Sequence, residues 1–185
     1  MSELPSIDTW SIIDTYFRDT RYYKSQHQLD SYNEFIYSET NGIQHIIKRG
    51  NPLLIYKEPL NSEATEYKYE IEIYFGETLT EDGSMDDKVE NIFVSSPTEY
   101  SDGESKFMFP NIARLKGYTY KSNIFCNIGI KYTNKETTSI TIKNFPKINI
   151  GSIPIMVHSK RCVLNNLDDV KLSELGECPY DQGGY

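Results

Sequence analysis

The spacing of apolar residues changes along the chain, and this change limits the folds that the chain can adopt. Near the N-terminus apolar residues recur every three to four positions, as at Trp10, Ile13 and Phe17, which is the period of an amphipathic helix. After Pro59 they alternate, most clearly over 67–75, which is the period of a strand with one buried face. The pattern predicts an α+β fold, in which N-terminal helices pack on a mainly antiparallel sheet.

The helical part of the chain covers most of residues 1–57. Asp8 or Thr9 offers an N-cap for a helix over about 9–18. The helical spacing resumes at Leu29 and continues to Ile47, with an interruption at Asn41-Gly42. This second region is therefore either one bent helix or two separate ones.

Residues 58–185 are predicted to be mainly strands. The segment 77–88 is acidic and contains a glycine, so we expect it to form a loop. The alternating run 124–132 and the run 140–142 predict a hairpin that turns at Asn134-Lys135. Further short strands are predicted at 92–96, 148–150 and 153–157.

Charge is unevenly distributed along the sequence. The formal net charge of -8, taken alone, argues against a nucleic-acid partner. However, residues 58–105 carry a net charge of -12, whereas residues 106–161 carry +9. Blocks of opposite sign predict a molecule with one cationic face. The alternative is that the lysines only keep strands soluble and protect sheet edges.

The motifs that carry enzymatic chemistry are absent from the sequence. It contains no phosphate-binding loop, dinucleotide fingerprint or nucleophile elbow. His158 and Cys162 are four residues apart, but two ligands do not make a zinc site. The acidic run 81–87 lacks the ligand spacing of a calcium loop. We therefore expect neither a self-contained active site nor a metal site.

Cysteine usage and hydropathy predict an intracellular protein without a membrane partner. The three cysteines form no CxxC pair and are odd in number, which favours a reducing compartment. The N-terminus has no basic and apolar signal segment. No apolar run approaches the ~20 residues of a membrane-spanning helix.

Four blocks of sequence together resemble one protein family. They are WSIIDTYF at 10–17 with QLDSYNEF at 28–35, FPNIARLKGYTY at 109–120, IGSIPIMVHSK at 150–160 and GECPYDQGGY at 176–185. In this order and spacing they resemble the N-terminal part of the second-largest subunit of multisubunit DNA-directed RNA polymerase, in its archaeal, eukaryotic and large-DNA-virus branch. The resemblance covers nearly the whole chain, the last two blocks are the most specific, and the acidic segment 58–105 has no strong match.

The resemblance implies that the chain is the polymerase protrusion domain, which forms one wall of the DNA cleft during transcription. It implies a single domain over 1–185 that is incomplete at its C-terminus, because the family continues into another strand, an inserted lobe and a return to the protrusion. The implied partners are the DNA template, the largest subunit, the other polymerase subunits and the remainder of the second subunit.

The resemblance also implies that the chain has no catalytic residue and no cofactor of its own. The nucleotidyltransferase reaction of the whole enzyme uses magnesium held mainly by the largest subunit, and zinc binds in the missing C-terminal part. The bias toward Ile, Asn, Lys and Tyr favours an AT-rich source such as a large DNA virus. The location would then be cytoplasmic, nuclear or in the virion.

The basic block supplies the candidate DNA contacts. Arg114 and Lys116 flank Leu115, so on a strand they would share one face, available to phosphates. The alternative for this pair is a solvated edge. The candidate nucleic-acid-binding residues are Arg114, Lys116, Lys121, Lys160 and Arg161.

The C-terminal block is predicted to be structural. Pro179 and Gly183-Gly184 would shape a turn that positions the next strand, and Cys178 would be a small buried hydrophobe.

Two other interpretations stay open at this point. In the first, the chain is a stand-alone nucleic-acid-binding module. In the second, it is a protein-interaction module that docks through its acidic segment 58–105. In the family interpretation, the return strands are missing, so part of an apolar sheet face should be uncovered. The alternative is that the helices carrying Trp10, Phe17, Leu29 and Ile36 already cap the sheet.

Overall fold

Helices come first along the chain and strands follow, which confirms the predicted α+β class. The computed structural model describes residues 8–61, 65–86, 91–101 and 103–184. The elements are α1 (Thr9–Asp19), α2 (Gln26–Tyr37), α3 (Ile43–Lys48), β1 (Leu53–Pro59), β2 (Tyr67–Phe75), β3 (Ile92–Val94), β4 (Thr98–Ser101), β5 (Glu104–Phe107), α4 (Pro110–Lys116), β6 (Lys121–Asn134), β7 (Ser139–Pro154) and α5 (Asp169–Glu174).

Strand β6 is the centre of a five-stranded antiparallel sheet. Strand β7 pairs with β6 along its whole length, from Lys121 opposite Pro154 to Asn134 opposite Ser139. On the other side, β2 pairs with 128–134 and β3 pairs with 124–126. Strand β1 adds to β2, and β4 and β5 form a separate hairpin. The hairpin between β6 and β7 turns where the sequence predicted it.

Two groups of buried side chains hold the helices to one half of the sheet. Helix α2 buries Leu29, Tyr32 and Ile36 against the segment that follows β7. Helix α3 buries Ile43 against Ile92, Ile124 and Cys126 on β3 and β6. Cys126 and Leu172 are fully excluded from solvent. Burial of such side chains stabilises the fold by about 1.5–3 kcal/mol each.

The helical region after Leu29 is two helices and not one bent helix. Helix α2 ends at Tyr37 and α3 begins at Ile43. Gly42 lies between them, and a side chain there would clash with the carbonyl oxygen of Ser38. The chain can therefore turn tightly at this position only with glycine.

Three secondary-structure predictions need correction. Residues 53–57 lie in the part predicted to be mainly helical, yet they belong to strand β1, an edge strand whose residues are all exposed. Because both of its faces carry apolar residues, it shows no alternation. The predicted strands at 148–150 and 153–157 are instead the second half of one 16-residue strand, β7, and its continuation. Residues 155–157 leave the sheet and are buried in the core.

The helices leave part of the apolar sheet face uncovered. Leu53 lies opposite Ile73 on β2, and Ile73 lies opposite Ile130 on β6, so the three form a row across the sheet. Leu53 is 48% exposed and Ile55, in the next row, is 37% exposed. Helix α1 does not cover them, because it buries none of its own residues. Of the helical residues proposed to cap the sheet, Leu29 and Ile36 are buried, whereas Trp10 and Phe17 are mainly exposed.

The C-terminal segment returns to the end of β7 through two glycines. Val157 and Gly184 form an isolated antiparallel bridge, in which the Val157 N–H donates to the Gly184 carbonyl oxygen at 3.1 Å. Gly183 has φ of +77°, and a Cβ there would lie 2.5 Å from the Val157 oxygen. The C-terminal glycines are therefore required by backbone conformation and by close approach.

The uncovered sheet face predicts that the isolated chain binds a hydrophobic dye and associates. Replacing Leu53 and Ile55 by Lys should reduce both effects, because it places charges on that face. We expect the free energy of unfolding to fall by only about 1–2 kcal/mol, since both side chains are partly exposed already. Dye fluorescence and light scattering measure the change, with Val170→Lys on α5 as the control that should leave both unchanged. A monomer that melts sharply and reversibly without dye binding would contradict the prediction.

The close approach at Gly183 predicts that Gly183→Ala is strongly destabilising. The matched control is Gly117→Ala, because Gly117 also has a positive φ of +65° but has open space around its Cβ position. We expect a loss of about 1 kcal/mol for the control and about 3 kcal/mol for Gly183→Ala, which adds a clash to the conformational cost. Denaturant unfolding measures both values. Equal losses would show that the contact with Val157 is not important.

Candidate nucleic-acid interface

The acidic and basic blocks of the sequence neutralise each other across the sheet. Strand β2 belongs to the acidic block and lies beside β6, which belongs to the basic block. Lys131 Nζ lies 2.8 Å from Glu72 Oε1, and Lys135 Nζ lies 2.9 Å from Glu70 Oε2. In this half of the sheet, acidic side chains of one block therefore pair with basic side chains of the other. The two blocks do not form two separate charged faces here.

Arg114 and Lys116 lie on a helix and not on a strand, so the predicted shared face is wrong. Pro110 begins α4 and Gly117 ends it with φ of +65°. Residues two apart on a helix point to nearly opposite sides. Arg114 Nη2 contacts Asp181 Oδ2 at 3.0 Å, whereas Lys116 Nζ contacts Glu99 Oε2 at 2.7 Å.

Helix α4 is held by the segment that follows α5. The buried Glu177 accepts a hydrogen bond from the Asn111 N–H at 2.8 Å, which places a carboxylate at the N-terminus of α4. Asn111 also donates from its side chain to the Gly176 carbonyl oxygen at 2.9 Å. Because Glu177 points inward, Cys178 is exposed, and the prediction that it is a buried hydrophobe is wrong.

The other three candidates lie on β6 and on the turn that follows residue 157. Lys121 opens β6 and is exposed. Lys160 is exposed, its N–H donates to Asn33 Oδ1 at 2.9 Å, and its ammonium lies 5.9 Å from the Tyr37 ring centre. Arg161 is half-buried, and its Nε is enclosed without a hydrogen-bond partner among the described residues.

Five of the ten basic residues in block 106–161 contact carboxylates. Arg114, Lys116, Lys131, Lys135 and Lys106 are within 4 Å of an acidic side chain. In the part of the chain that the structure describes, the five without such a contact are Lys121, Lys143, Lys147, Lys160 and Arg161. Three of the five predicted nucleic-acid contacts belong to this second group.

His158 and Cys162 do not act as a pair. His158 Nδ1 lies 3.1 Å from the Tyr22 hydroxyl, and the two rings stack at 4.5 Å. Cys162 Sγ instead lies 3.3 Å from the Tyr120 hydroxyl. Burial lowers the pKa of His158 below its usual value, although nearby Asp181 opposes this shift. The imidazole is therefore neutral at pH 7 and serves packing.

The α1–α2 connection contacts the C-terminal segment through hydrogen bonds that the sequence does not predict. Ser25 Oγ donates to the Gln182 carbonyl oxygen, and Gln182 Nε2 donates to the Arg21 carbonyl oxygen at 3.3 Å. Arg21 also contacts Asp169 on α5 at 2.5 Å. Burial raises the pKa of Asp181, but the Gly183 N–H and the Arg114 guanidinium outweigh burial and hold it below its usual value. No local sequence pattern indicates such long-range pairs.

Among the described residues, no group of three His, Cys, Asp or Glu side chains could hold a metal ion. None of the helices in the described part of the chain combines the length and the hydropathy needed to cross a membrane.

Comparison with known proteins places the chain in a family. Residues 23–185 match the family described as "RNA polymerase beta subunit". The chain is 33% identical to DNA-directed RNA polymerase II subunit RPB2 of Encephalitozoon cuniculi, over 96% of the chain and 14% of that protein. It is also 33% identical to DNA-directed RNA polymerase II subunit 2 of Arabidopsis thaliana, over 99% of the chain and 14% of that protein.

An archaeal relative gives the same result. The chain is 30% identical to DNA-directed RNA polymerase subunit Rpo2N of Methanothermobacter thermautotrophicus, over 95% of the chain and 28% of that protein. The chain thus spans between a seventh and about a quarter of the length of these relatives. The resemblance recognised in the four sequence blocks is confirmed, and the chain belongs to the RNA polymerase beta subunit family.

Proposed function

We propose that the chain is part of the second-largest subunit of a DNA-directed RNA polymerase and forms part of the DNA cleft wall, as a protrusion domain. The observation that carries this proposal is the family match over 23–185, together with relatives that are all named as subunits of that enzyme. The chain contributes to a nucleotidyltransferase, and its partners are the largest subunit, the other subunits, the remainder of its own subunit and template DNA.

The role of this segment in the proposed enzyme is to bind and position, not to catalyse. Phosphoryl transfer by polymerases needs two metal ions held by clustered carboxylates. The described residues contain no set of side chains that fits such a metal. The resemblance to the family implies that the magnesium and the zinc of the whole enzyme bind in other parts of it, and this is part of the proposal.

The proposed phosphate contacts are Arg114, Lys116, Lys121, Lys160 and Arg161. Lys121 and Lys160 are the most accessible, because they are exposed and have no carboxylate contact among the described residues. Arg114 and Lys116 would have to exchange Asp181 and Glu99 for phosphate. The cations of these pairs are exposed, but the Asp181 and Glu99 side chains are only 26% and 12% exposed, so the exchange would leave a partly buried carboxylate unpaired and has a free-energy cost.

A docking role for the acidic segment receives no support from the geometry. Glu70, Glu72 and Glu99 already contact basic residues of the same chain.

The proposed location is inside the cell, where transcription takes place. A large DNA virus stays our proposed source on composition alone, whereas the relatives reported above are eukaryotic and archaeal.

The proposal predicts that polymerase subunits co-purify with the chain. A tagged copy in its source cell should capture the largest polymerase subunit and template-dependent RNA synthesis activity. The isolated 185-residue chain should synthesise no RNA, because its described residues include no carboxylate cluster that could hold a metal ion. Capture without any polymerase subunit, or RNA synthesis by the isolated chain, would contradict the proposal.

The proposed phosphate contacts predict a change in the salt dependence of DNA binding. In the assembled enzyme, Lys121→Ala and Lys160→Ala should each weaken binding similarly across DNA sequences. Each should lower the slope of log K against log salt by about one unit per lost contact. Arg114→Ala and Lys116→Ala should act in the same direction. The control is Lys57→Ala, because Lys57 is an exposed lysine on β1 outside the basic block. An unchanged slope in the test variants would show that those residues are solvated and do not contact phosphates.

A further inference from the structure

One face of the sheet is covered by a helix at one end and open at the other. Ile124 and Cys126 of β6 are buried against α3. Farther along the same strand, Ile130 and Tyr132 point to the same side but are only half-buried. Because β6 has a hydrogen-bonded neighbour on both sides there, this exposure comes from the lack of a covering layer and not from a sheet edge.

Two cross-strand rows of apolar side chains make up the open part. Residues directly opposite each other on paired strands have their side chains on the same side of the sheet. The open face consists of the rows Leu53–Ile73–Ile130 and Ile55–Ile71–Tyr132.

Lysines stand at both edges of the open face. Lys143 on β7 lies opposite Ile130, so it ends the first row. Lys57 on β1 comes two residues after Ile55, on the same side of that strand. Both lysines are exposed, and neither contacts a carboxylate among the described residues. The two rows themselves contain no Asp or Glu.

The acidic side chains of the neighbouring strands are already paired. Glu70 and Glu72 of β2 point to the opposite side from the isoleucines with which they alternate, and each contacts a lysine there. Beyond the second row, Lys68 Nζ lies 3.9 Å from Glu58 Oε2 and 2.9 Å from Glu136 Oε2. These carboxylates therefore do not neutralise the two lysines at the edges of the open face.

The acidic loop 77–86 also lies on the other side of the sheet. Leu79 exchanges two hydrogen bonds with the side chain of Asn144, which alternates with Lys143 along β7. Gly129 lies opposite Asn144, and a Cβ on Gly129 would be 2.8 Å from Leu79 Cγ. The loop thus covers the side of the sheet that the open face does not occupy.

The open face has the dimensions of one α-helix. It extends about 13 Å along β1 from Leu53 to Lys57, and about 14 Å across the four strands from β1 to β7. A helix with its side chains is about 10–12 Å wide and rises about 5.4 Å per turn, so a helix of about three turns covers the face. Since α3 packs on the same side of β6, a second helix here would continue an existing layer.

We propose that the open face is a docking site for an amphipathic helix of a partner protein, whose flanks carry Asp or Glu toward Lys143 and Lys57. Because these lysines lie on opposite edges and about 13 Å apart along the strands, the two acids belong on opposite flanks, between two and three turns apart. The inference goes beyond the proposed polymerase function and does not depend on it, since none of the five proposed phosphate contacts lies on this face.

The test measures the binding of three synthetic peptides of about 16 residues to the 185-residue chain. The first has a leucine stripe with glutamates on both flanks, the second has the same stripe with lysines, and the third has the glutamates without the stripe. All three are covalently stapled, because isolated helices of this length are marginal in water. Fluorescence anisotropy gives the affinities, at chain concentrations at which light scattering detects no association.

We expect the glutamate-flanked peptide to bind about fivefold or more tightly than the lysine-flanked one, and the peptide without a stripe not to bind. Lys143→Glu should remove this preference, and Lys143→Glu with Lys57→Glu should reverse it. Ile55→Ser should weaken both striped peptides by about threefold or more, because it removes apolar contact area.

Lys171→Glu is the matched control for the charge reversals. Lys171 is also an exposed lysine without a carboxylate contact among the described residues, but it lies on α5. It should leave all affinities within about twofold of the wild type, since it is not on the open face. Thermal melting of each variant checks that the fold is retained.

Four results would overturn the inference. The first two are equal binding of the two striped peptides and binding of the peptide without a stripe. The third is a discrete two-chain assembly that Ile55→Ser dissolves, because a second copy would then cover the face. The fourth is tighter binding of an extended, strand-forming peptide of the same composition. Failure of the proposed polymerase function is recognised separately, by the absence of polymerase subunits in the co-purification, and leaves the peptide affinities unchanged.

Discussion

Strand β6 is hydrogen-bonded on both sides along nearly its whole length, and the rest of the structure depends on this pairing. It joins β7 on one side and both β2 and β3 on the other. Its inward residues Ile124 and Cys126 form the surface on which α3 packs. The pairing of β6 with β7 shifts between Ile124 and Phe125 and again between Cys126 and Ile128. At the second shift Pro146 and Lys147 lie opposite the single residue Asn127, and Lys147 has a left-handed conformation.

The sheet separates charge into two halves with different consequences. Where β2 lies beside β6, each glutamate of the pairs Glu72–Lys131 and Glu70–Lys135 has its partner in the same chain. Where β3 lies beside β6, no acidic residue is present in the strands, and the lysines face outward without a carboxylate contact among the described residues. The acidic loop 77–86 nevertheless lies beside these strands, because Leu79 exchanges two hydrogen bonds with Asn144 on β7 and the Thr78 hydroxyl donates to Asn91 next to β3.

The C-terminal segment connects parts of the chain that are distant in sequence. Glu177 binds the N-terminus of α4, Asp181 contacts Arg114, and Gln182 holds the connection between α1 and α2. Gly184 then pairs with Val157 beyond the end of β7. The block GECPYDQGGY thus makes structural contacts through most of its described residues, with Gly183 close to the Val157 oxygen, Glu177 buried and Cys178 exposed.

The sequence by itself determined the elements whose signals are local. The periodicity predicted α1, β2 and the β6–β7 hairpin within a few residues, and four sequence blocks identified the family. It did not determine β1, whose apolar residues face both ways at an edge, or the helical state of 110–116, whose N-terminus is hydrogen-bonded by the distant Glu177. Nor could it decide which basic residues are neutralised, because Lys116 and Glu99 are 17 positions apart and meet only in the folded chain. Ion pairing, burial and the bulge at Lys147 depend on distances between strands, and only tertiary structure sets those distances.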